Sequence, residues 1–197
     1  MPIEDIRRLK TRLREQYRAV RTNMEPEFRR DCDQRIAERV RALWQYRNCR
    51  QILVYVSTPI EVDTYPIIHQ ALADGKRVAV PRCVPDTRQM EFYYINSLED
   101  LLPGTFGVLE PQPQKENLVT DFSRSLCIVP AFCYDFNGYR LGYGKGYYDR
   151  FLAGYEGDRI GICYSSCIRR RLPHGRFDRP VQLLITENFI RRTTRPV

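Results

Sequence analysis

Residues 138–152 read GYRLGYGKGYYDRFL, with four glycines, four tyrosines, a lysine and an aspartate in one short stretch. A glycine-rich loop that opens a helix presents free backbone N–H groups to an anion. Gly142, Gly144 and Gly146 let the backbone approach closely, and Lys145 and Arg140 add positive charge. Asp149 is placed to hold a magnesium ion bridging phosphate oxygens. The pattern is neither the GxxxxGK[ST] phosphate loop nor the GxGxxG dinucleotide fingerprint with its later acidic residue. By itself it indicates phosphate binding without naming the phosphate, and a tight turn packed by tyrosines remains the alternative.

Other catalytic chemistry is sparse. The two histidines, His69 and His174, stand in no recognisable Ser-His-Asp arrangement. The seven cysteines, at 32, 49, 83, 127, 133, 163 and 167, are odd in number and contain no CxxC pair. They fit reduced, structural thiols better than a disulfide framework or a zinc site.

The elements that must carry this loop follow from periodicity. Ile3, Ile6, Leu9, Leu13, Tyr17 and Val20 recur at steps of three and four, predicting an amphipathic helix over 3–21 with a basic outer face. Phe28, Cys32, Ile36, Val40 and Leu43 predict a second helix started by Pro26, so the first fifty residues read as a helical hairpin. Apolar runs at 51–56, 77–81, 90–95, 126–130, 159–164 and 182–187 read as strands, several covered on both faces. A helix over 63–75, stopped by Gly75, separates the first two.

Strand, helix, strand implies a right-handed crossover. The expected fold is therefore α/β, a three-layer αβα arrangement around a mostly parallel, doubly wound sheet with an N-terminal helical hairpin. After the strand at 126–130 the sequence predicts a turn at Asn137-Gly138, the glycine-rich loop, and a helix from about Tyr147. Ligands in such sheets collect beyond the carboxyl ends of the strands. Residues 111–117 read as a surface loop and not as a linker, so residues 1–197 are expected to form a single domain.

The formal net charge is +8, and the first fifty residues carry fourteen Lys/Arg against eight Asp/Glu. That balance favours anionic partners, either nucleic acid or small phosphorylated or polycarboxylate ligands. No RNA-recognition motif, zinc finger or long basic tail is present, which makes nucleic acid the weaker choice. No stretch approaches eighteen consecutive apolar residues and the N-terminus is charged, so the expectation is a cytoplasmic protein with no membrane partner.

GYRLGYGKGYYDRFL closely resembles the signature of the 5-formyltetrahydrofolate cyclo-ligase family. Companion segments follow in that family's order: KTRLR (10–14), YVSTPIEVDT (55–64), GKRVAVPR (75–82), GVLEP (107–111), IVP (128–130) and LP with FD at 172–178. The resemblance implies an ATP-dependent enzyme that uses Mg2+. It phosphorylates the formyl oxygen of 5-formyltetrahydrofolate, nitrogen 10 then attacks the activated carbon, and phosphate leaves to give 5,10-methenyltetrahydrofolate. Such chemistry rests on positioning and neutralising phosphate, and needs no protein nucleophile.

The resemblance also implies roles for individual residues. Lys10 and Arg14 would contact ATP phosphates, and Arg140, Leu141, Gly142, Tyr143, Gly144, Lys145, Gly146, Tyr147 and Tyr148 would form the nucleotide and phosphate loop. Within it Lys145 and Arg140 would stabilise the transferring group. Asp149 and Asp178 would be the magnesium carboxylates. Val56 and Glu61 would line the pterin pocket, with Tyr143 and Tyr147 facing the substrate, and Met90 and Phe92 would be pocket wall or core. The chain departs from the usual family pattern at Pro130-Ala131, Tyr134-Asp135, Cys167 and Gln182. The expected partners are small molecules, folate and ATP, bound by a monomer.

Two other classes share these features. One is a sugar-phosphate isomerase or transferase of similar architecture, whose loop would hold a substrate phosphate without nucleotide. The other is a non-catalytic basic module binding RNA or folate. A requirement for nucleotide separates the first of these from the cyclo-ligase, and steep salt dependence of RNA binding marks the second.

Overall fold

A computed structural model describes residues 5–104 and 107–193. In chain order the helices and strands begin with α1 (Ile6–Thr22), α2 (Pro26–Ala42), the short α3 (Trp44–Asn48), β1 (Gln51–Val54), α4 (Tyr65–Ala73), β2 (Arg77–Cys83) and β3 (Met90–Ile95). They continue with β4 (Leu101–Pro103), β5 (Leu109–Pro111), β6 (Ser125–Val129), β7 (Cys133–Asp135), β8 (Arg140–Leu141) and α5 (Tyr147–Ala153). The chain closes through β9 (Asp158–Ile162), β10 (Ile168–Arg169), β11 (Leu183–Ile185) and β12 (Ile190–Arg192).

Helix α1 starts where Asp5 accepts the Arg7 N–H at 3.0 Å, an N-cap that satisfies one orphan donor. Ile3, assigned to this helix from the periodicity, lies outside the described residues. The buried face of α1 consists of Leu13, Tyr17 and Arg21, whereas Ile6 is exposed. Helix α2 begins at Pro26, as the missing N–H of proline allows, and buries Cys32, Ile36, Ala37 and Val40. Phe28, counted above in its apolar repeat, is exposed instead. The two helices follow one another, but their main contacts lie elsewhere: α1 against the turn at Ser165–Cys167, and α2 against α3, α4 and β11.

The central sheet has seven strands in the order β12-β11-β9-β6-β1-β2-β3. The five inner strands from β11 to β2 are parallel, and the edge strands β12 and β3 run antiparallel to their neighbours. This is a mixed α/β fold around a large, mostly parallel sheet. All four residues of β1 and all five of β6 are buried. Strands covered on both faces must be apolar throughout, which is why these runs do not alternate. The chain leaves β1 toward β2 on one side and returns to β6 on the other. The order therefore reverses between β1 and β6, and their carboxyl ends open the crevice where open α/β sheets bind ligands.

Several elements carry no periodic signal because they are two or three residues long. A small sheet, β10-β7-β8, stands beyond β6, and β4 pairs with β5. The β7–β8 connection turns at Asn137-Gly138 as expected, with Gly138 at φ 87. The fully buried Asp135 stabilises it, accepting the N–H groups of Asn137 and Tyr139 on one oxygen and of Leu172 on the other, each at 3.0 Å. Through these bonds one carboxylate fixes both the turn that launches the glycine-rich loop and the segment leading to Asp178. Among the described residues no helix is long and apolar enough to cross a membrane.

Candidate functional site

The glycine-rich loop runs from β8 into α5, and its conformation explains two of its glycines. Gly144 has φ 91 and Gly146, at the N-cap of α5, has φ 75. L-residues with a Cβ rarely adopt that region. The carbonyl oxygen of Gly142 accepts the Nε–H of Arg14 at 2.8 Å, and a Cβ on Gly144 would come within 2.9 Å of an Arg14 terminal nitrogen. The loop is thus shaped around an arginine supplied by α1. Burial lowers the pKa of Arg14 from its ordinary value. Lys145 and Tyr143 lie exposed along the same loop. Arg150, one turn into α5, donates to the carbonyl oxygens of Lys145 and Gly146 at 3.2 and 3.0 Å.

Cations and carboxylates meet in pairs beside the loop. Arg140 donates to Asp149 Oδ1 at 2.7 Å and to the Arg179 carbonyl oxygen at 2.6 Å, and its side chain is only 5% exposed. Lys10 reaches Asp178 Oδ2 at 3.0 Å, and the same oxygen accepts the Gly175 N–H at 2.8 Å. Burial alone would raise the Asp178 pKa, but the Gly175 N–H, Lys10 and Arg140 outweigh it and hold the carboxyl below its ordinary value. Asp149 also accepts the Arg179 N–H at 3.2 Å. It lies in the first turn of α5 yet makes no capping hydrogen bond. Its pairing with Arg140 therefore stands beside its place as the acidic residue of the helix's first turn.

On the other side of the loop, Glu61 is 6% exposed. Its Oε2 accepts the N–H and hydroxyl of Thr58 at 2.8 and 2.9 Å, and its Oε1 accepts the Tyr143 hydroxyl at 2.9 Å. The Tyr143 ring lies against Phe132, with centroids 4.6 Å apart. Although the Tyr143 side chain as a whole is exposed, desolvation at its hydroxyl and the neighbouring Glu61 push that group's pKa up, so it stays a donor. Val56 is buried at the end of the run that begins with β1. Tyr147 turns toward the β2–β3 connection, donating to the Thr87 carbonyl oxygen at 3.4 Å. The hydroxyl of Tyr148 is buried with no hydrogen-bond partner among the described residues.

The structure therefore brings Lys10, Arg14, Arg140, the loop 142–146, Asp149 and Asp178 together, with Glu61 joined through Tyr143. Phe92 is core, 1% exposed and packed on Phe151 at 4.7 Å between centroids, so it forms no pocket wall. Met90, half-buried on β3, packs against the same core. Sequence reasoning passed over Arg21, Thr58, Phe132 and Arg179. For Arg21 a signal existed: it lies seven residues after Arg14, on the same face of α1. Cavities of about 540 Å3 beside Tyr46 and Asp74 and about 660 Å3 beside Arg82 and Glu110 lie apart from these residues.

The donor set bears on magnesium. Among the described residues no three His, Cys, Asp or Glu side chains gather closely enough to hold a metal by themselves. Mg2+ usually takes one or two carboxylates and completes its shell with water and phosphate oxygens. Asp149 and Asp178, beside the glycine-rich loop, supply a pair of carboxylates that fits that requirement.

Comparison with known proteins gives one consistent answer. The profile of the 5-formyltetrahydrofolate cyclo-ligase family matches residues 6–187. A probable 5-formyltetrahydrofolate cyclo-ligase of Schizosaccharomyces pombe is 29% identical over 173 residues, covering 80% of this chain and 84% of that one. The 5-formyltetrahydrofolate cyclo-ligase of Escherichia coli K12 is 26% identical over 174 residues, covering 86% and 96%. The solution structure of Aquifex aeolicus 5,10-methenyltetrahydrofolate synthetase superposes with a TM-score of 0.83 at 31% identity, covering 96% of each chain.

Proposed function

Because this chain belongs to the 5-formyltetrahydrofolate cyclo-ligase family and is an enzyme of that kind, we propose that it closes 5-formyltetrahydrofolate to 5,10-methenyltetrahydrofolate with ATP as phosphoryl donor and Mg2+ as cofactor. The formyl oxygen is a poor leaving group. Phosphorylation makes it a good one, and nitrogen 10 of the folate supplies the nucleophile. No protein nucleophile is required, in keeping with His69, exposed on α4, and His174, stacked on Tyr139 with centroids 3.6 Å apart.

The observation that carries this reading is the junction of α1 with the glycine-rich loop through Arg14 and Gly142. It supports a phosphate cradle in which Arg14 and Lys10 from one helix, Lys145 from the loop and Arg140 from β8 surround one anion. Fixed cations aimed at a transferring phosphoryl group stabilise charge without reorganising at the moment of reaction. Asp149 and Asp178 would hold the magnesium ion, which would supply charge neutralisation to the phosphates. Both carboxylates already face Arg140 and Lys10. On binding, Lys10 and Arg140 would turn from these carboxylates to the phosphates, leaving Asp149 and Asp178 available as ligands.

Glu61 serves the other substrate. A carboxylate that already accepts the Tyr143 and Thr58 hydroxyls has the lone pairs to accept from a donor-rich pterin. Tyr143, bonded to Glu61 and carried on the phosphate loop, ties the two half-sites in one register.

The test is incubation of purified protein with 5-formyltetrahydrofolate, with and without MgATP, while following the near-ultraviolet absorbance of the methenyl product. Product and ADP should appear in equal amounts only with magnesium and ATP together. Product without nucleotide would overturn the phosphorylation route.

A further inference from the structure

We infer that Arg21 is a positioning residue for the folate side of this site, holding the two loop ends at the sheet's switch point at the spacing that Tyr143 needs. The inference rests on the folate lying beside Glu61. Arg21 is 2% exposed, and among the described residues no carboxylate forms an ion pair with it. One terminal nitrogen donates to the Ile60 carbonyl oxygen at 3.4 Å, and the other donates to that of Ala131. Ile60 follows β1 and Ala131 follows β6, the two strands between which the sheet order reverses.

The next residue along each loop is what grips the glycine-rich loop. Glu61 accepts the Tyr143 hydroxyl at 2.9 Å, and Phe132 packs on the Tyr143 ring at 4.6 Å. Arg21 therefore spans residues 60 and 131 while Tyr143 spans residues 61 and 132, one layer apart. The guanidinium carbon also lies 5.6 Å from the Phe132 ring centroid and 6.0 Å from that of Tyr164, so the aromatic wall is set by the same group.

Stability alone is a weak reason to keep such a residue. Taking a cation out of water is costly, and apolar replacements of buried charges are often neutral or stabilising. Here the guanidinium Nε is buried without a hydrogen-bond partner among the described residues, so even its own bonding capacity is not filled. What a guanidinium offers is a planar fork that reaches two carbonyls at fixed separation, which a lysine ammonium on a flexible stem does not reproduce.

The discriminating experiment compares Arg21→Lys, Glu61→Gln and the parent enzyme by steady-state kinetics in both substrates. Misplacement of a substrate-holding group by a fraction of an ångström is expected to raise the folate KM of Arg21→Lys about tenfold while changing the ATP KM less than about twofold. Glu61→Gln should raise the folate KM as well. If Arg21→Lys leaves the folate KM near the parental value while Glu61→Gln raises it, Arg21 has no positioning role. If neither variant moves it, the folate does not lie beside Glu61 and the inference falls with that placement. A purely structural role would lower Tm and the yield of folded enzyme with the two KM values unchanged, and that result also overturns the inference.

Should Arg21→Lys fail to fold, the parent enzyme decides. With isotope-labelled arginine and assigned side chains, the Arg21 Nε–H resonance should exchange slowly with solvent and shift when 5-formyltetrahydrofolate binds. No shift with folate bound would reject the inference.

Discussion

Arg14 on α1 donates its Nε–H to the carbonyl oxygen of Gly142 at 2.8 Å, across 128 residues of sequence. Gly144, two residues on, leaves open the space in which the guanidinium lies. One hydrogen bond and one missing methyl thus join the first helix to the loop that follows β8, and the site's behaviour follows from that junction and its neighbours.

Gly144→Ala tests the junction directly. The new Cβ would sit 2.9 Å from Arg14 at a backbone φ of 91 that alanine disfavours. Such strain costs on the order of 1–3 kcal/mol. For a chain of this size each kcal/mol lowers Tm by about 2–4 °C. The ATP KM should rise with it. An alanine variant with parental Tm and ATP KM would show that the loop is not shaped around Arg14.

Lys145→Ala should lower kcat by about a hundredfold or more, comparable to removing one fixed electrostatic contact to a transition state. Stopped assays of methenyl formation at saturating folate and MgATP measure it. A loss of less than about threefold, under ~1 kcal/mol, would take Lys145 out of the mechanism.

Asp149→Asn separates metal binding from structure. The amide can still accept from Arg140 but leaves that buried guanidinium without its counter-charge and gives magnesium a far poorer ligand, so some Tm is lost while the folded variant's Mg2+ concentration for half-maximal activity should rise by about tenfold or more. An unchanged magnesium titration would leave Asp149 as a partner of Arg140 alone.

Tyr143→Phe keeps the ring on Phe132 and removes the hydroxyl that donates to Glu61. Because a hydrogen bond to a charged acceptor contributes about 1.5–3 kcal/mol, the folate KM should rise by about tenfold or more, with little change for ATP. Equal effects on both substrates would argue that Tyr143 positions the phosphate loop instead of the pterin.

Acid stability should report on Asp178. Its folded-state pKa is held below the unfolded value of about 4, so the carboxylate's contribution is complete above that value and is lost as pH falls through the lower, folded pKa. Asp178→Asn should therefore be less stable than the parent near neutral pH, by ~1 kcal/mol or less since the pair with Lys10 is partly solvated, and the difference should shrink as pH falls through the lowered, folded-state pKa. Denaturant titrations at several pH values measure this. A gap that persists unchanged into acid would assign the loss to something other than the carboxylate's charge.

The sequence by itself determined whatever depends on local pattern. Runs such as Ile52 to Val54 and Leu126 to Val129 are apolar without alternation, and only a strand covered on both faces accommodates that. Pro26 and Gly75 mark helix ends because of their own backbone limits. The chemistry of GYRLGYGKGYYDRFL was legible for the same reason: positive-φ glycines, cations and an acid lie within one loop. Lys10 and Arg14 could be connected with it only through resemblance to a family, since nothing in a helix's period says which loop it will face.

Tertiary structure decided the pairings. Asp178 meets Lys10 over 168 residues, and Tyr143 meets Glu61 over 82. Neither partner carries a mark of the other, because side-chain contact between distant segments depends on strand order and not on spacing. Arg21 is the sharpest case. Its period puts it on the face of Arg14 and Tyr17, but no period says that this face meets the point where β1 and β6 diverge. Only the order of strands in the sheet, set by which apolar runs pair, brings the Ile60 and Ala131 carbonyls to the two arms of one guanidinium.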